Sequence, residues 1–248
     1  MIPERGTRNL ERALGNRARV LLPPVAAELV MFVLKQGWAC LFGGLLLAAI
    51  IFTKLIWNPG WPIARYDALF IFAILSQAAF LWFKLESWEE ARIIGLFHLT
   101  GTAMEVFKVS AGSWAYPEPG LIKLLGVPLF SGFMYASVGS YMARVIRIFD
   151  MRFAPYPPLW MTFGFAGAIY VNFFAHHFGP DIRLMLFGIS IALYARTRIW
   201  FRISTRDWWM PLPVAAGLSS PALWVAENVG TATGTWLYSG QTPDHMVS

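Results

Sequence analysis

Two glutamates stand where a hydrophobic chain should not carry charge. Glu105 and Glu227 each lie inside an apolar stretch, and each opens the same pattern: Glu, six residues, Gly, Ser or Thr, Trp, one residue, Tyr. The first copy is Glu105, Gly112, Ser113, Trp114 and Tyr116, and the second is Glu227, Gly234, Thr235, Trp236 and Tyr238. All five positions match at one offset of 122 residues. An ionisable side chain within a membrane span is costly unless it is paired or protonated, so two of them at matched positions are candidates for proton or ion chemistry. The glycine reads as a helix stop. The Trp and Tyr are the rings that favour headgroup level, where they would also touch a substrate.

Further polar groups fall at nearby positions. His98, Thr102 and Glu105 are spaced i, i+4 and i+7, one face of a helix, and Lys108 continues near that stripe. Asn172 and His176 are spaced i, i+4, with His177 and Asp181 following, while Tyr135, Ser137, Ser140 and Tyr141 lie on a neighbouring segment. Three chemistries fit this set. A divalent metal would take its ligands from His98, Glu105, His176, His177, Asp181 and Glu227, although no His-x-x-His or Glu-x-x-His spacing occurs. Acid–base chemistry would use a buried carboxyl of raised proton affinity as general acid on an alkene or ether oxygen. Transport would use the two glutamates and Lys108 as a proton or cation path. A serine nucleophile lacks the Gly-x-Ser-x-Gly elbow.

These residues must be held by membrane helices. Of the 248 residues 57% are hydrophobic and 14% charged, against roughly 45–50% and about 25% in a soluble domain. The expected fold is an all-α polytopic bundle of seven transmembrane helices with a parallel internal repeat, spans three and seven being equivalent. The spans run from about Gly37 to Ile56, Ala64 to Phe83, Trp88 to Gly112, Val127 to Ile148, Pro157 to His177, Asp181 to Arg196, and Pro211 to Gly234. Gly43, Gly44, Ala48 and Ala49 give the first a small-residue face. Residues 1–35 would be a basic cytoplasmic tail with a short interfacial helix over Val25–Lys35, residues 36–240 the membrane domain, and residues 241–248 an external tail. Seven spans place fifteen of the twenty basic residues on the N-terminal side, which the positive-inside rule makes cytoplasmic. The net charge of +6 is thus a topology signal and argues against nucleic acid. The single cysteine, Cys40, excludes an intramolecular disulfide. Asp207-Trp208-Trp209 reads as an interfacial anchor.

The segments His98-Leu-Thr-Gly-Thr-Ala-Met-Glu105, Gly112-Ser-Trp-Ala-Tyr-Pro-Glu118, Asn172-Phe-Phe-Ala-His176-His177 and Trp224-Val-Ala-Glu227-Asn-Val-Gly resemble a bacterial integral-membrane family catalogued as domain of unknown function 817, over about Leu34 to Gln241. The run Glu227-Asn-Val-Gly-Thr-Ala-Thr-Gly234, followed by Tyr238, is similar to a segment of the carotenoid hydratase and membrane-type lycopene cyclase group. That likeness implies protonation of isoprenoid double bonds, with Glu105 and Glu227 at the acidic positions. The leading expectation is an enzyme of the inner membrane acting on an apolar lipid. Its catalytic residues would be Glu105, Glu227, His98, Asn172 and His176. Trp114, Tyr116, Trp236, Tyr238, Tyr141 and Lys108 would contact the substrate. A carrier or channel, and a lipid-binding or scaffold protein, are the alternatives. The expected partners are the bilayer and the apolar substrate, with a homo-oligomer allowed.

Overall fold

The structure, a computed structural model, describes residues 13–17, 20–204 and 206–239. Residues 1–12, 18 and 19 of the expected basic tail, including Arg5, Arg8, Arg12 and Arg19, and the external tail from Gln241 lie outside the described residues. The chain divides into two compact units, Met1–Phe149 with Ala226–Ser248, and Asp150–Val225.

The first unit contains helices α1 (Pro24–Ala39), α2 (Leu41–Ile56), α3 (Arg65–Trp82), α4 (Trp88–Ser110) and α5 (Phe130–Ile148), with short strands β1 (Trp114–Ala115), β2 (Lys123–Leu124) and β3 (Val127–Pro128). α4 starts at a capping box: Ser87 Oγ accepts from the Glu90 N–H and the Glu90 carboxylate accepts from the Ser87 N–H. α5 is the hub, packing on α1, α2, α3 and α4. Small residues allow the approach. A Cβ on Gly101 would strike the Tyr135 ring, and one on Gly132 would strike Thr102 and His98. A Cβ on Gly43 would lie 3.3 Å from Ser137 Cβ, but one on Gly44 would meet nothing within 4 Å. The main small-residue seam therefore runs between α4 and α5.

The expected interfacial helix and first span are arranged differently. α1 runs on to Ala39, the chain breaks at Cys40, and α1 and α2 are bent by 67°. Lys35, the last residue of the expected interfacial helix, is buried; its ammonium donates to the Ile148 carbonyl at 3.1 Å, at the negative end of α5. Among the described residues no single helix is long and apolar enough to cross a membrane, and α1 with α2 reach that length and composition only as a bent pair.

The second unit contains β4 (Arg152–Ala154), α6 (Leu159–Ala175), α7 (Arg183–Tyr194), β5 (Arg198–Arg202) and β6 (Asp207–Pro211), and most of α8 (Leu212–Ala232). α8 continues past Val225 into the first unit, which ends with β7 (Leu237–Tyr238). The strands β4, β5 and β6 form an antiparallel sheet in that order. Asp207-Trp208-Trp209, expected as a loop anchor, is a paired strand.

Burial is inverted in places. Leu55, Trp82, Leu96 and Leu99 are exposed, while Arg144, Glu86, Glu105, Lys108 and Arg65 are buried. Two apolar clusters fill the first unit, one around Phe42, Phe80 and Phe133 and one around Tyr66, Tyr116, Phe130 and Trp236.

Candidate functional site

Both glutamate segments end their helices in the same way. After Glu105 the chain closes a Schellman turn: the Gly112 N–H donates to the Val109 carbonyl and the Ser113 N–H to Lys108. After Glu227 the Gly234 N–H donates to Thr231 and the Thr235 N–H to Gly230, at 2.9 Å each. Gly112 and Gly234 take the left-handed conformation this turn requires, at φ 70° and 64°. The reversal folds each following Trp and Tyr back onto its own glutamate.

Glu105 receives three donors. Trp114 Nε1 (2.7 Å) and the Tyr116 hydroxyl (2.8 Å) bind Oε2, and the Tyr135 hydroxyl (2.8 Å) from α5 binds Oε1. The group is 3% exposed. Hydrogen bonds to a charged acceptor contribute about 1.5–3 kcal/mol each, enough together to offset much of a buried carboxylate's desolvation. Glu227 receives two donors, Trp236 Nε1 (3.1 Å) and the Tyr238 hydroxyl, both on Oε1. Its Oε2 has no hydrogen-bond partner among the described residues, and the side chain is half-buried.

The two assemblies join. β1 pairs antiparallel with β7, Trp114 opposite Tyr238 and Ala115 opposite Leu237. The Trp114 and Tyr238 rings meet edge to face at 5.7 Å. Glu105, Trp114, Tyr238 and Glu227 thus form one contact chain. The four aromatics expected at headgroup level or on a substrate are engaged as carboxylate clamps. Tyr116 and Trp236 are buried.

Comparison with known proteins agrees with the motifs. Residues 28–248 match the family described as protein of unknown function, DUF817. The chain belongs to the DUF817 family. It is 40% identical over 214 residues to the uncharacterized protein YoaT of Bacillus subtilis (strain 168), covering 86% of this chain and 80% of that protein. No solved structure matches it.

In this DUF817 chain the other residues expected at the site go elsewhere. The His98 ring lies on Phe133 at 4.3 Å, and its buried Nδ1 has no hydrogen-bond partner among the described residues. Tyr141, expected on the substrate, donates to Gln36 of α1 at 3.3 Å. Lys108 places its ammonium over the Trp114 ring at 5.9 Å. Asn172, His176, His177 and Asp181 belong to the second unit. There the Asn172 side chain donates to Asp181 (3.2 Å) and accepts from the Ile182 N–H (3.0 Å), holding the turn between α6 and α7. His176 and His177 stack at 4.2 Å. The exposed Asp181 carboxyl also accepts from the Arg183 backbone N–H at 2.9 Å. Among the described residues no three His, Cys, Asp or Glu side chains converge in a manner that suits a metal ion.

Two buried arginines went unrecognised in the sequence, where they counted only toward the charge bias between the two sides. Arg144 pairs with Glu86 at 2.7 Å, both side chains fully buried, and Ser140 and Gln77 complete the Glu86 carboxylate. Arg65 binds Glu118 (2.7 Å), the Ile50 carbonyl (3.0 Å), Thr53 (3.0 Å) and Thr235 (3.0 Å), and so ties α2 and α3 to both glutamate segments. The signal that could have found them is the capped helix start at Ser87, which places Glu86 beside a helix end, and the Arg65-Tyr66-Asp67 run opening α3. Asp67 accepts from the Leu121 and Ile122 N–H groups at 2.9 and 2.8 Å.

Proposed function

We propose that this DUF817 protein is a multi-span protein of the bacterial cytoplasmic membrane, with seven spans and a parallel internal repeat, that performs acid–base chemistry on an apolar, isoprenoid-like lipid. The N-terminus is cytoplasmic and the C-terminus external. The composition supports the membrane setting, as do the exposed Leu, Phe and Trp side chains around a fully buried Arg144–Glu86 pair. The isoprenoid class rests on the likeness of the Glu227–Tyr238 segment to the hydratase and cyclase group.

The observation that carries the reaction is the difference between the two glutamates. Glu105 has both oxygens occupied and holds the aromatic frame in place. Glu227 has one oxygen clamped and the other without a partner among the described residues. A proton on Glu227 Oε2 is the one available for transfer. It passes to an alkene carbon whose π electrons form the new C–H bond, leaving a carbocation on the neighbouring carbon. The carboxylate left behind keeps the Trp236 and Tyr238 donors, which stabilise its charge. Loss of a proton or capture of water then ends the reaction.

The test is lipid-extract mass spectrometry on cells expressing wild type, Glu227→Gln and Glu105→Gln. The expected result is loss of a wild-type-dependent lipid change in Glu227→Gln. A Glu227→Gln profile identical to wild type overturns the reading. A carrier or channel is the second reading. The observation in its favour is that buried ionisable groups meet α5 at two levels, Glu105 at Tyr135 and Glu86 at Arg144, nine residues or about 13 Å apart along the helix. It predicts flux in proteoliposomes that Glu227→Gln removes. If neither chemistry nor flux is found, a lipid-binding or scaffold role is what remains.

A further inference from the structure

The three-stranded sheet of the second unit has two unlike faces. Strand alternation places Arg152 and Ala154 of β4, Arg198, Trp200 and Arg202 of β5, and Asp207 and Trp209 of β6 on one face. The other carries Phe153, Ile199, Phe201, Trp208 and Met210, of which Ile199 and Phe201 are buried. On the first face Trp200 lies opposite Trp209, ring to ring at 6.2 Å, and the Arg198 guanidinium stacks on Trp209 at 4.3 Å. Asp207 is shared, 2.8 Å from Arg202 and 4.0 Å from the more exposed Arg152, so one carboxylate offsets only one of these two guanidinium charges. Arg198 has the stacking contact but no hydrogen bond or ion pair among the described residues, so its N–H fork is open to an acceptor. Arg196 and Arg206 stand exposed at the sheet's margins.

Chain connectivity fixes the depth of this face. β4 leads into the start of α6, β5 follows the end of α7, and β6 runs directly into the start of α8. Three apolar helices therefore present the same end to one sheet. They also expose apolar side chains along their length, among them Phe163, Leu184 and Leu218. If those faces meet hydrocarbon, the sheet lies at headgroup level, where Trp side chains and arginines are favoured. By the basic-residue bias this is the cytoplasmic end, whose leaflet carries the anionic lipid.

We propose that the Arg152–Arg198–Trp200–Trp209 face binds anionic phospholipid headgroups of the cytoplasmic leaflet, with the Trp209-backed Arg198 guanidinium as the phosphate fork. This rests on the membrane reading above. Arginine suits the role because its planar fork binds two phosphate oxygens at once, and the stacked indole holds it in orientation. Trp200 and Trp209 sit at the acyl boundary. The face reaches the lipid without a pocket, as charge complementarity alone requires.

The full-length protein is reconstituted into phosphatidylcholine vesicles containing spin-labelled phosphatidylglycerol or spin-labelled phosphatidylcholine, and relative association is read from the immobilised spectral fraction. Wild type is expected to prefer phosphatidylglycerol. Arg152→Gln/Arg198→Gln should lower that preference by roughly five-fold per arginine removed, and Arg198→Lys should fall between because charge stays while the fork is lost. Arg183→Gln, at the opposite end of α7, should leave the preference at the wild-type value and shows that the losses do not come from total charge. An unchanged preference in the double variant, or an equal loss in Arg183→Gln, overturns the proposal. So does displacement of the labelled lipid by an RNA oligonucleotide, which assigns the face to nucleic acid. A protein that fails to float with the vesicles defeats the membrane reading itself, whereas one that floats without lipid preference defeats only this inference.

Discussion

Gly230→Ala isolates the clamp on Glu227. Gly230 is buried in the last turns of α8, and a Cβ there would lie 1.7–2.2 Å from three carbons of the Trp236 ring, far inside van der Waals contact. Trp236 is 6% exposed and bonded to Glu227 at 3.1 Å, so it has little room to retreat without breaking that bond. Overpacking of this kind costs about 1–3 kcal/mol. Loss of a hydrogen bond to a charged acceptor costs about 1.5–3 kcal/mol. Against these, alanine gains about 1 kcal/mol over glycine in a helix interior. The net is a loss of about 1.5–5 kcal/mol, which for a chain of this size lowers Tm by roughly 3–20 °C. Gly167→Ala is the matched control: Gly167 lies within α6 with nothing within 4 Å of its Cβ position, so the substitution should raise stability slightly. Thermal unfolding of both variants in the same detergent decides the matter. A Gly230→Ala protein melting at or above the wild-type temperature refutes the packing of Trp236 against α8, and with it the clamp.

Three further outcomes follow from the same contacts. Arg144→Met or Glu86→Leu alone leaves a buried charge unpaired and should cost about 3–5 kcal/mol, while Glu86→Leu/Arg144→Met should recover most of that loss in a double-mutant cycle of thermal stabilities. Tyr135→Phe removes the single donor on Glu105 Oε1 and should destabilise by about 1–3 kcal/mol by thermal unfolding, with Ser137→Ala on the same helix as a milder comparison. The Arg202 guanidinium holds the exposed Asp207 carboxyl below its ordinary value. A depressed carboxyl contributes stability above the unfolded value of about 3.9 and loses it as pH falls through the folded value. Melting curves of wild type and Asp207→Asn should therefore differ by a constant amount around neutral pH and converge only in acid.

The sequence made the carboxylate pattern visible but not what its aromatics do. Glu105 with Trp114 and Tyr116, and Glu227 with Trp236 and Tyr238, are legible because a fixed spacing repeats against an apolar background. That the rings turn back onto the carboxylates is a property of the left-handed Gly112 and Gly234, which spacing does not encode. The Glu86–Arg144 pair was invisible for another reason: its members are 58 residues apart and each sits near a helix end, where a charge looks solvated. The break at Cys40 carries no proline or glycine at the break itself, so no local signal divides α1 from α2. The sheet was missed because Trp208 and Trp209 suggested an anchor, while the partner run Arg198-Ile-Trp-Phe-Arg202 shows strand alternation only once its buried Ile199 and Phe201 are known.

The two copies of the glutamate motif are informative where they differ. Gly101 of α4 lets α5 approach closely enough for Tyr135 to give Glu105 its third donor. The matching position in the second copy, at the same offset of 122 residues, is Leu223, which is 56% exposed. No equivalent of Tyr135 completes Glu227 among the described residues, and Glu227 Oε2 is left without a partner there. Position 108 also diverges, from Lys108, whose ammonium overlies Trp114, to Gly230, against which Trp236 packs. A carboxyl that exchanges a proton with a substrate needs one oxygen fixed for orientation and one open for the reaction. A carboxyl that braces a fold needs both satisfied. The divergence between Gly101 and Leu223 accompanies that difference: both oxygens of Glu105 are held, while Glu227 is held through Oε1.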